Sequence, residues 1–334
     1  MGHPSSAVLR AAVLDDYQDA ARRFGRWAQT LPDVELSVFR DHLHDERALG
    51  GRRAAVDVVC LVGERTAMPA RVLDALPRLR LVVTTAMWNA ALDIEHANTR
   101  GITVCGTESV QSGTPELVWL LVLALARRFP QETASVRAGG WQTGVGMDLA
   151  GRTIGLVGLG QIGTRVARVA NAFGMRVLAW SQNLTDERAA SAGALRVPKS
   201  TLLAESDIVS LHLKLSARTR NIIGETELRA MRPGALLVNT SRGPLVDEAA
   251  LVRALSQGWI AGAGLDAYDI EPLPAAHPFR TLPNVVATPH IGYVTEATYA
   301  LFYEQIVENI RRWIDGSPVR VLAAQHVLRD PSPA

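Results

Sequence analysis

The chain has 334 residues, 48% of them hydrophobic and 20% charged, with a formal net charge of +2. That length predicts two domains with sizeable cores, and the near balance of charge leaves no electrostatic case for a nucleic-acid partner. The two cysteines, Cys60 and Cys105, lie in apolar runs (VVCLV and ITVCG) and read as buried strand residues, with no disulfide and no metal site expected.

In chain order, residues 8–13 predict a strand that ends at Asp15 and Asp16. Residues 17–31 predict a helix, 34–39 a strand, 56–62 an apolar strand and 72–75 a helix. A strand at 79–85, a helix at 92–100 closed by Gly101 and a strand at 102–105 complete this part. Strands alternating with helices imply βαβ units and a parallel sheet. This first α/β unit carries no phosphate-binding fingerprint. The stretch Asp15-Asp16-Tyr17-Gln18-Asp19 within it has no assigned chemistry. Residues 115–129 predict a long helix with Pro115 in the first turn and Ser112 or Thr114 as its cap. Its apolar run, residues 117–126, is ten residues long, too short to span a bilayer. No basic-then-apolar signal pattern opens the chain, so a cytoplasmic protein without a membrane partner is expected. Residues 138–149 are Gly-rich and contain Trp141; they read as a surface loop or as an arm that meets a partner subunit.

The most informative stretch is residues 153–174, TIGLVGLGQIGTRVARVANAFG. An apolar strand leads into Gly158, Gly160 and Gly163 in G-x-G-x-x-G spacing. A helix with Ile162, Val166, Val169 and Phe173 on one face follows, then a second apolar strand at 176–180. This is the context a dinucleotide fingerprint requires. The first Gly permits the tight turn, the second lets backbone approach a pyrophosphate, and the third lets helix and strand pack. The first helical residues, Gln161 and Ile162, present N–H groups to the phosphates.

The alternation continues with helices near 185–192, 198–204, 224–231 and 247–257. Strands are expected at 195–197, 208–213, 235–239, 261–265 and 285–287. Residues 296–315 predict a long amphipathic helix with Gly316 past its end, and the Pro-containing tail beyond it is expected to be loose. Ligands of open α/β sheets bind at the carboxyl ends of strands. Arg242, Glu271 and His290 each follow a predicted strand closely. An Arg can grip a carboxylate bidentately and polarise a carbonyl. A His can donate a proton as an alkoxide forms, and a carboxylate beside it orients the ring. Together they suit hydride transfer between a nicotinamide and a 2-oxo acid.

SLHLKLSARTRNIIG, LLVNTSRGPLVDEAALVRAL, GAGLDAYDIEPL and LPNVVATPHIGYVT, with the glycine fingerprint, resemble the D-isomer-specific 2-hydroxyacid dehydrogenases over about residues 79–315. The resemblance implies Arg242, Glu271 and His290 as the catalytic set and Asp266 as a contact of the nicotinamide carboxamide. The implied cofactor set is Gly158, Gly160, Gln161, Ile162, Gly163, Ser181, Thr240, Arg242, Asp266 and His290. The implied fold is α/β with two doubly wound domains. One is a flavodoxin-like substrate domain from residues 1–108 and 296–334; the other is a Rossmann NAD(P)-binding domain from 109–295. The active site would lie in the cleft, the substrate would be a small 2-oxo or 2-hydroxy acid, and the protein would be a homodimer. Family analogy also places substrate-contacting backbone at residues 61–64 and 86–89, where Met87 and Trp88 would line a pocket or Trp88 would pack between domains.

Two departures bear on this expectation. Members that prefer NAD carry an acidic residue at the end of the second strand, which binds the ribose 2′-hydroxyl. Here Ser181 stands there, followed by Gln182 and Asn183, and the next carboxylate is Asp186. Both NAD and NADP remain open on that ground. Lys214 stands where many members have Pro; it contacts cofactor phosphate or faces solvent. On the same scaffold, formate dehydrogenases have Gln at the position of Glu271, and phosphite dehydrogenases use a Lys in the loop aligned with residues 86–88, which this chain lacks. With no regulatory domain after residue 334, the long serine-pathway phosphoglycerate dehydrogenase type is not expected. A cofactor-sensing corepressor retains the same Arg, Glu and His, so it stands as the alternative to an enzyme.

Overall fold

The computed structural model describes residues 8–43 and 56–323. The end of the tail, beyond residue 323, lies outside them. The chain divides into two units: one from the described residues up to Val110 together with those from Thr295 onward, the other spanning Gln111–Val294.

The first unit is built on β1 (Leu9–Leu14), β2 (Val34–Val38), β3 (Val58–Leu61), β4 (Leu81–Thr84) and β5 (Thr103–Cys105). They form a parallel sheet in the order β2-β1-β3-β4-β5, the flavodoxin-like order. β3 and β4 are buried at every position, which is why they read as unbroken apolar runs rather than alternating ones. Leu61, Met68, Leu73 and Leu76 form the core with almost no exposure. Each such side chain contributes roughly 1.5–3 kcal/mol on burial.

The expected helix at 17–31 is two short helices, Ala20–Phe24 and Trp27–Thr30. The first ends because the Gly25 N–H and the Trp27 indole N–H both donate to the Ala21 carbonyl, each at 2.9 Å. The last helix, Glu296–Ile314, starts at a Thr295 cap and buries Tyr299, Phe302, Tyr303, Ile306 and Ile310. The tail directly after it is not loose. Val321 bridges Cys105, and the Leu322 N–H donates to Val104 O at 2.8 Å.

The second unit contains β6 (Thr153–Val157), β7 (Arg176–Trp180), β8 (Leu195–Arg196), β9 (Ile208–Leu211), β10 (Leu236–Asn239), β11 (Gly262–Leu265) and β12 (Val285–Ala287). These are parallel, in the order β12-β11-β10-β9-β6-β7-β8. The order reverses between β6 and β9, the switch point at which such sheets bind ligands. One apolar layer includes Val118, Leu121, Ile154, Leu156 and Val166. The other includes Leu202, Val209, Leu237, Ala254 and Leu265. Alternate residues of each strand thus feed opposite faces.

The expected single helix at 115–129 is Gly113–Ala126 followed by a separate helix, Phe129–Arg137. Pro130 cannot extend a helix, because it lacks an N–H and its ring meets the carbonyl of residue 126. The chain turns at Arg128 with φ 52°, and the freed Ala126 carbonyl accepts the Met147 N–H at 2.7 Å. Ser112 occupies the cap position without a side-chain cap bond, and the Thr114 hydroxyl donates to Gly292 O at 3.2 Å. Residues 139–149 form no helix or strand, and Trp141 and Val145 are 75% and 96% exposed.

Candidate active site

β6 delivers the glycine turn. Gly158 has φ 105°, and a Cβ there would lie 2.8 Å from the His212 carbonyl carbon and oxygen. A Cβ on Gly163 would lie 2.3 Å from Gly158 O. No side chain fits at either place, so the turn stays tight and the helix Gln161–Ala172 sits close on it. At Gly160 the geometry is opposite: a Cβ would meet no atom within 4 Å. Open space thus faces the second glycine, beside the N-terminal N–H groups of Gln161, Ile162 and Gly163. A diphosphate needs that arrangement, so these residues fit a dinucleotide.

Ser181 directly follows β7, whose Trp180 pairs with Val157 of β6. It therefore stands beside the Gly158 turn. The next carboxylate, Asp186, accepts from Arg196 Nε at 2.6 Å and is 75% exposed. No carboxylate stands at the Ser181 position itself.

His212 lies against the glycine turn, its backbone close to Gly158 and its ring close to Gly163. Both ring nitrogens of His212 and the hydroxyls of Ser210 and Thr240 are buried without a hydrogen-bond partner. Burial pushes the His212 imidazole down to about 4, so it is neutral near pH 7.

β10, β11 and β12 pair in register at Asn239, Leu265 and Ala287. Arg242, Asp266, Glu271 and His290 accordingly leave the same edge of the sheet. The Arg242 turn is held by Asn239, whose side chain donates to Arg242 O at 2.9 Å and accepts the Ser241 N–H at 3.1 Å. Arg242 Nη1 donates to Ser241 O at 2.8 Å. The next residue, Gly243, packs on the backbone that leads to Glu271: a Cβ there would lie 2.1 Å from the carbonyl carbon of Tyr268.

His290 Nδ1 lies 2.6 Å from Glu271 Oε2. Glu271 Oε1 accepts the Tyr268 N–H at 2.9 Å, which fixes the carboxylate plane. An ionised carboxylate is acceptor-only, so the hydrogen sits on Nδ1 and Nε2 is left for proton exchange; this tautomer is assigned from the network. Burial alone would raise the Glu271 carboxyl. The hydrogen bond and charge of His290, the Tyr268 N–H and the charge of Arg242 outweigh it, and the group lies below its ordinary value. Tyr293 packs edge-on against the His290 ring, with centroids 5.5 Å apart.

His290 has φ 53°, a left-handed backbone that costs a non-glycine residue of order 1–3 kcal/mol. Asp266, fully buried, holds this turn. One carboxylate oxygen accepts from the Thr288 hydroxyl (2.6 Å) and the Ile291 N–H (2.8 Å), the other from the Gly292 N–H (2.8 Å). Burial raises the Asp266 carboxyl despite these partners. Tyr268 supports the same place: its hydroxyl is within 3.0 Å of Leu265 O and 2.8 Å of Thr288 O. Sequence patterns did not single out Tyr268 or Thr288. The only available signal was their nearness to strands β11 and β12.

Comparison with known proteins accords with this geometry. Residues 119–292 match the model of the D-isomer specific 2-hydroxyacid dehydrogenase NAD binding domain. The chain belongs to the D-isomer specific 2-hydroxyacid dehydrogenase family. Within that family it is 40% identical to a glyoxylate reductase of Korarchaeum cryptofilum over 267 residues, 78% of this chain and 80% of the relative. It is also 40% identical to a glyoxylate reductase of Thermococcus onnurineus over 319 residues, 89% and 95% of the two chains. The crystal structure of a phosphoglycerate oxidoreductase from Vibrio cholerae matches with a TM-score of 0.88 and 34% identity, over 92% of this chain and 100% of that one. A 2-hydroxyacid dehydrogenase of this family is an oxidoreductase with a nicotinamide cofactor. Among the described residues, no group of three or more His, Cys, Asp or Glu side chains is placed to hold a metal ion. Among them, too, no helix is long and apolar enough to cross a membrane.

Proposed function

We propose that this protein reduces small 2-oxo acids to D-2-hydroxy acids, glyoxylate being the simplest substrate. The observation that carries the reading is the 2.6 Å His290–Glu271 bond, at the edge of the sheet whose switch point bears the glycine turn. The names of the related glyoxylate reductases support the substrate class.

Gly158, Gly160, Gln161, Ile162 and Gly163 would hold the diphosphate, with Ser181 beside the adenosine ribose and Thr240 and Asp266 near the nicotinamide. When bound, the reduced nicotinamide supplies the hydride. Arg242 grips the substrate carboxylate and polarises the 2-oxo group. The proton on His290 Nε2 passes to the substrate oxygen as the C–H bond forms, leaving neutral imidazole; Glu271 stabilises the imidazolium that precedes transfer. In the oxidative direction neutral Nε2 takes the hydroxyl proton.

The first unit, up to Val110 and from Thr295 onward, is the substrate domain in this reading, and Gln111–Val294 the cofactor domain. Its two loops after β3 and β4 are stitched together: Asn89 donates to Gly63 O at 2.9 Å and the Thr85 hydroxyl accepts the Gly63 N–H at 2.6 Å. Met87 and Trp88, 46% and 51% exposed, extend from the second loop. The cofactor is NADH or NADPH; no carboxylate at the Ser181 position repels a 2′-phosphate, which leaves room for NADPH. A homodimer forms through the apolar surface of Phe129, Val136, Trp141 and Val145, all exposed in the single chain. The two unpaired, buried cysteines suit the reducing cytoplasm.

The test is oxidation of NADH and of NADPH with glyoxylate, hydroxypyruvate, pyruvate, phenylpyruvate and a branched 2-oxo acid. Turnover with glyoxylate and either cofactor is expected. No turnover with any pair, in protein that still binds cofactor, would favour the cofactor-sensing alternative. His290→Ala is expected to lower turnover by roughly 10²–10⁴-fold with cofactor binding kept. Light scattering showing a monomer would remove the dimer proposal.

A further inference from the structure

The segment that carries Glu271 is poorly packed. Tyr268 and Phe279 at its ends are buried, but Asp269, Ile270, Pro272 and residues 274–276 between them are exposed. Between them Leu273 packs on the core, and Arg280 Nε and Nη2 donate to Pro274 O and Leu273 O at 2.9 and 2.6 Å; the Glu271 carboxylate meets His290 at 2.6 Å. A further tether, Glu248, comes from outside the segment.

Glu248 opens the helix Glu248–Ser256. Its Oε2 accepts the Asp269 N–H at 3.3 Å, and its Oε1 lies 3.0 Å from His277 Nε2. His277 Nδ1 accepts the Phe279 N–H at 3.2 Å. A backbone N–H can only donate, so Nδ1 is the acceptor and the ring hydrogen sits on Nε2, facing Glu248. One carboxylate thus holds the segment at Asp269 and, through the imidazole, at residue 279. Glu271 lies between these two anchors. Glu248 and His277 are 24% and 14% exposed at the side chain.

We propose that Glu248 and His277 are positioning residues that lock the Glu271 segment, and so hold Glu271 in register with His290. The proposal rests on the reading of Glu271 and His290 as the catalytic pair. Neither residue reaches the reacting atoms; the pair acts through two backbone N–H groups. Misplacing a catalytic group by about 1 Å costs on the order of 100-fold in rate, so losing either tether is expected to matter.

The experiment uses the full chain with glyoxylate and NADH or NADPH, measuring kcat, KM, cofactor Kd and the pH–rate profile of Glu248→Ala, His277→Leu and His277→Gln. A Gln can donate to Glu248 and accept from Phe279, whereas Leu can do neither. Glu248→Ala and His277→Leu are expected to lower kcat by about 10- to 100-fold, with cofactor Kd unchanged and the limbs of the pH profile displaced. His277→Gln is expected to restore most of the rate. Wild-type kcat in both disabling variants would overturn the proposal. So would a loss that comes with weaker cofactor binding, an unmoved pH profile and no rescue by Gln, since that is ordinary destabilisation. His290→Ala is run alongside. If it keeps turnover, the catalytic reading itself fails; if it is inactive while the tether variants match wild type, only this inference fails.

Discussion

Replacing Glu271 by Gln keeps size and shape but removes the charge, and the local geometry makes the consequence specific. Glu271 accepts on both oxygens, from the Tyr268 N–H at 2.9 Å and from His290 Nδ1 at 2.6 Å. An amide offers one acceptor and one donor pair. With its oxygen toward Tyr268, its N–H groups face Nδ1, which must then be an unprotonated acceptor. Neutral His290 would carry its hydrogen on Nε2, so the ring would be unable to take a proton from a hydroxy acid. A hydrogen bond to a charged group contributes about 1.5–3 kcal/mol. At about 1.4 kcal/mol per decade, that predicts a loss of about 10- to 160-fold. Oxidation of a D-2-hydroxy acid is expected to suffer more than reduction of the 2-oxo acid, and the reductive optimum is expected to move to lower pH. Following nicotinamide absorbance in both directions across pH 5–9 measures this. Equal, small losses in the two directions with an unshifted pH optimum would refute the tautomer argument.

For Arg242→Lys, loss of the bidentate fork is expected to raise the KM for the 2-oxo acid and lower kcat together, by about tenfold or more each; steady-state kinetics check it. Gly163→Ala would drive a Cβ to 2.3 Å from Gly158 O, whereas Gly160→Ala meets nothing within 4 Å. Thermal unfolding should show the first variant destabilised and the second unchanged. Both should bind cofactor more weakly by titration, Gly160→Ala because its methyl fills the open space at the turn. Burial holds His212 at about 4, below its unfolded value of 6.5. The unfolded chain therefore binds the extra proton first, and this stability is present above pH 6.5 and lost as pH falls toward 4. At about 1.4 kcal/mol per pH unit the loss is ~3 kcal/mol. His212→Leu should flatten that part of the stability–pH curve; an unchanged slope would show that the ring is not held neutral.

Much of the fold was legible in the sequence, because parallel strands buried on both faces leave apolar runs such as Ile154–Val157 and Ile208–Leu211. The glycine turn was legible for a different reason: steric exclusion at Gly158 and Gly163 forces a residue type, and the spacing carries the geometry. The two helix breaks were less visible. Trp27 ends one helix by reaching back to a carbonyl, a side-chain choice made in three dimensions. Pro130 marks the end of the apolar run, but nothing in the sequence marks the turn at Arg128 or the separate helix Phe129–Arg137. The tail residues Val321 and Leu322, the second of them buried, follow a Pro and resemble linker until β5 offers them an edge. In the site, Arg242, Glu271 and His290 stand out because each follows a strand within motif-like surroundings. Tyr268, the Asp266 clamp on the His290 turn and the Glu248–His277 tether do not, because hydrogen-bond partners separated by about 20–30 residues leave no periodic trace.

The first unit is discontinuous in sequence, whereas the second lies wholly within Gln111–Val294. A chain leaving the ribosome therefore presents the second unit complete while the first still lacks the helix Glu296–Ile314 and the strand-edge residues Val321 and Leu322. Domains generally fold as units, in order of synthesis, but here the N-terminal sheet waits for residues made after the whole second unit. Until they arrive, the surface that will pack against Phe302, Tyr303, Ile306 and Ile310 is uncovered. The newborn chain is most exposed to chaperones, proteases and aggregation in its N-terminal third, and a premature stop near residue 295 would spare the cofactor unit while leaving the other unit unfinished.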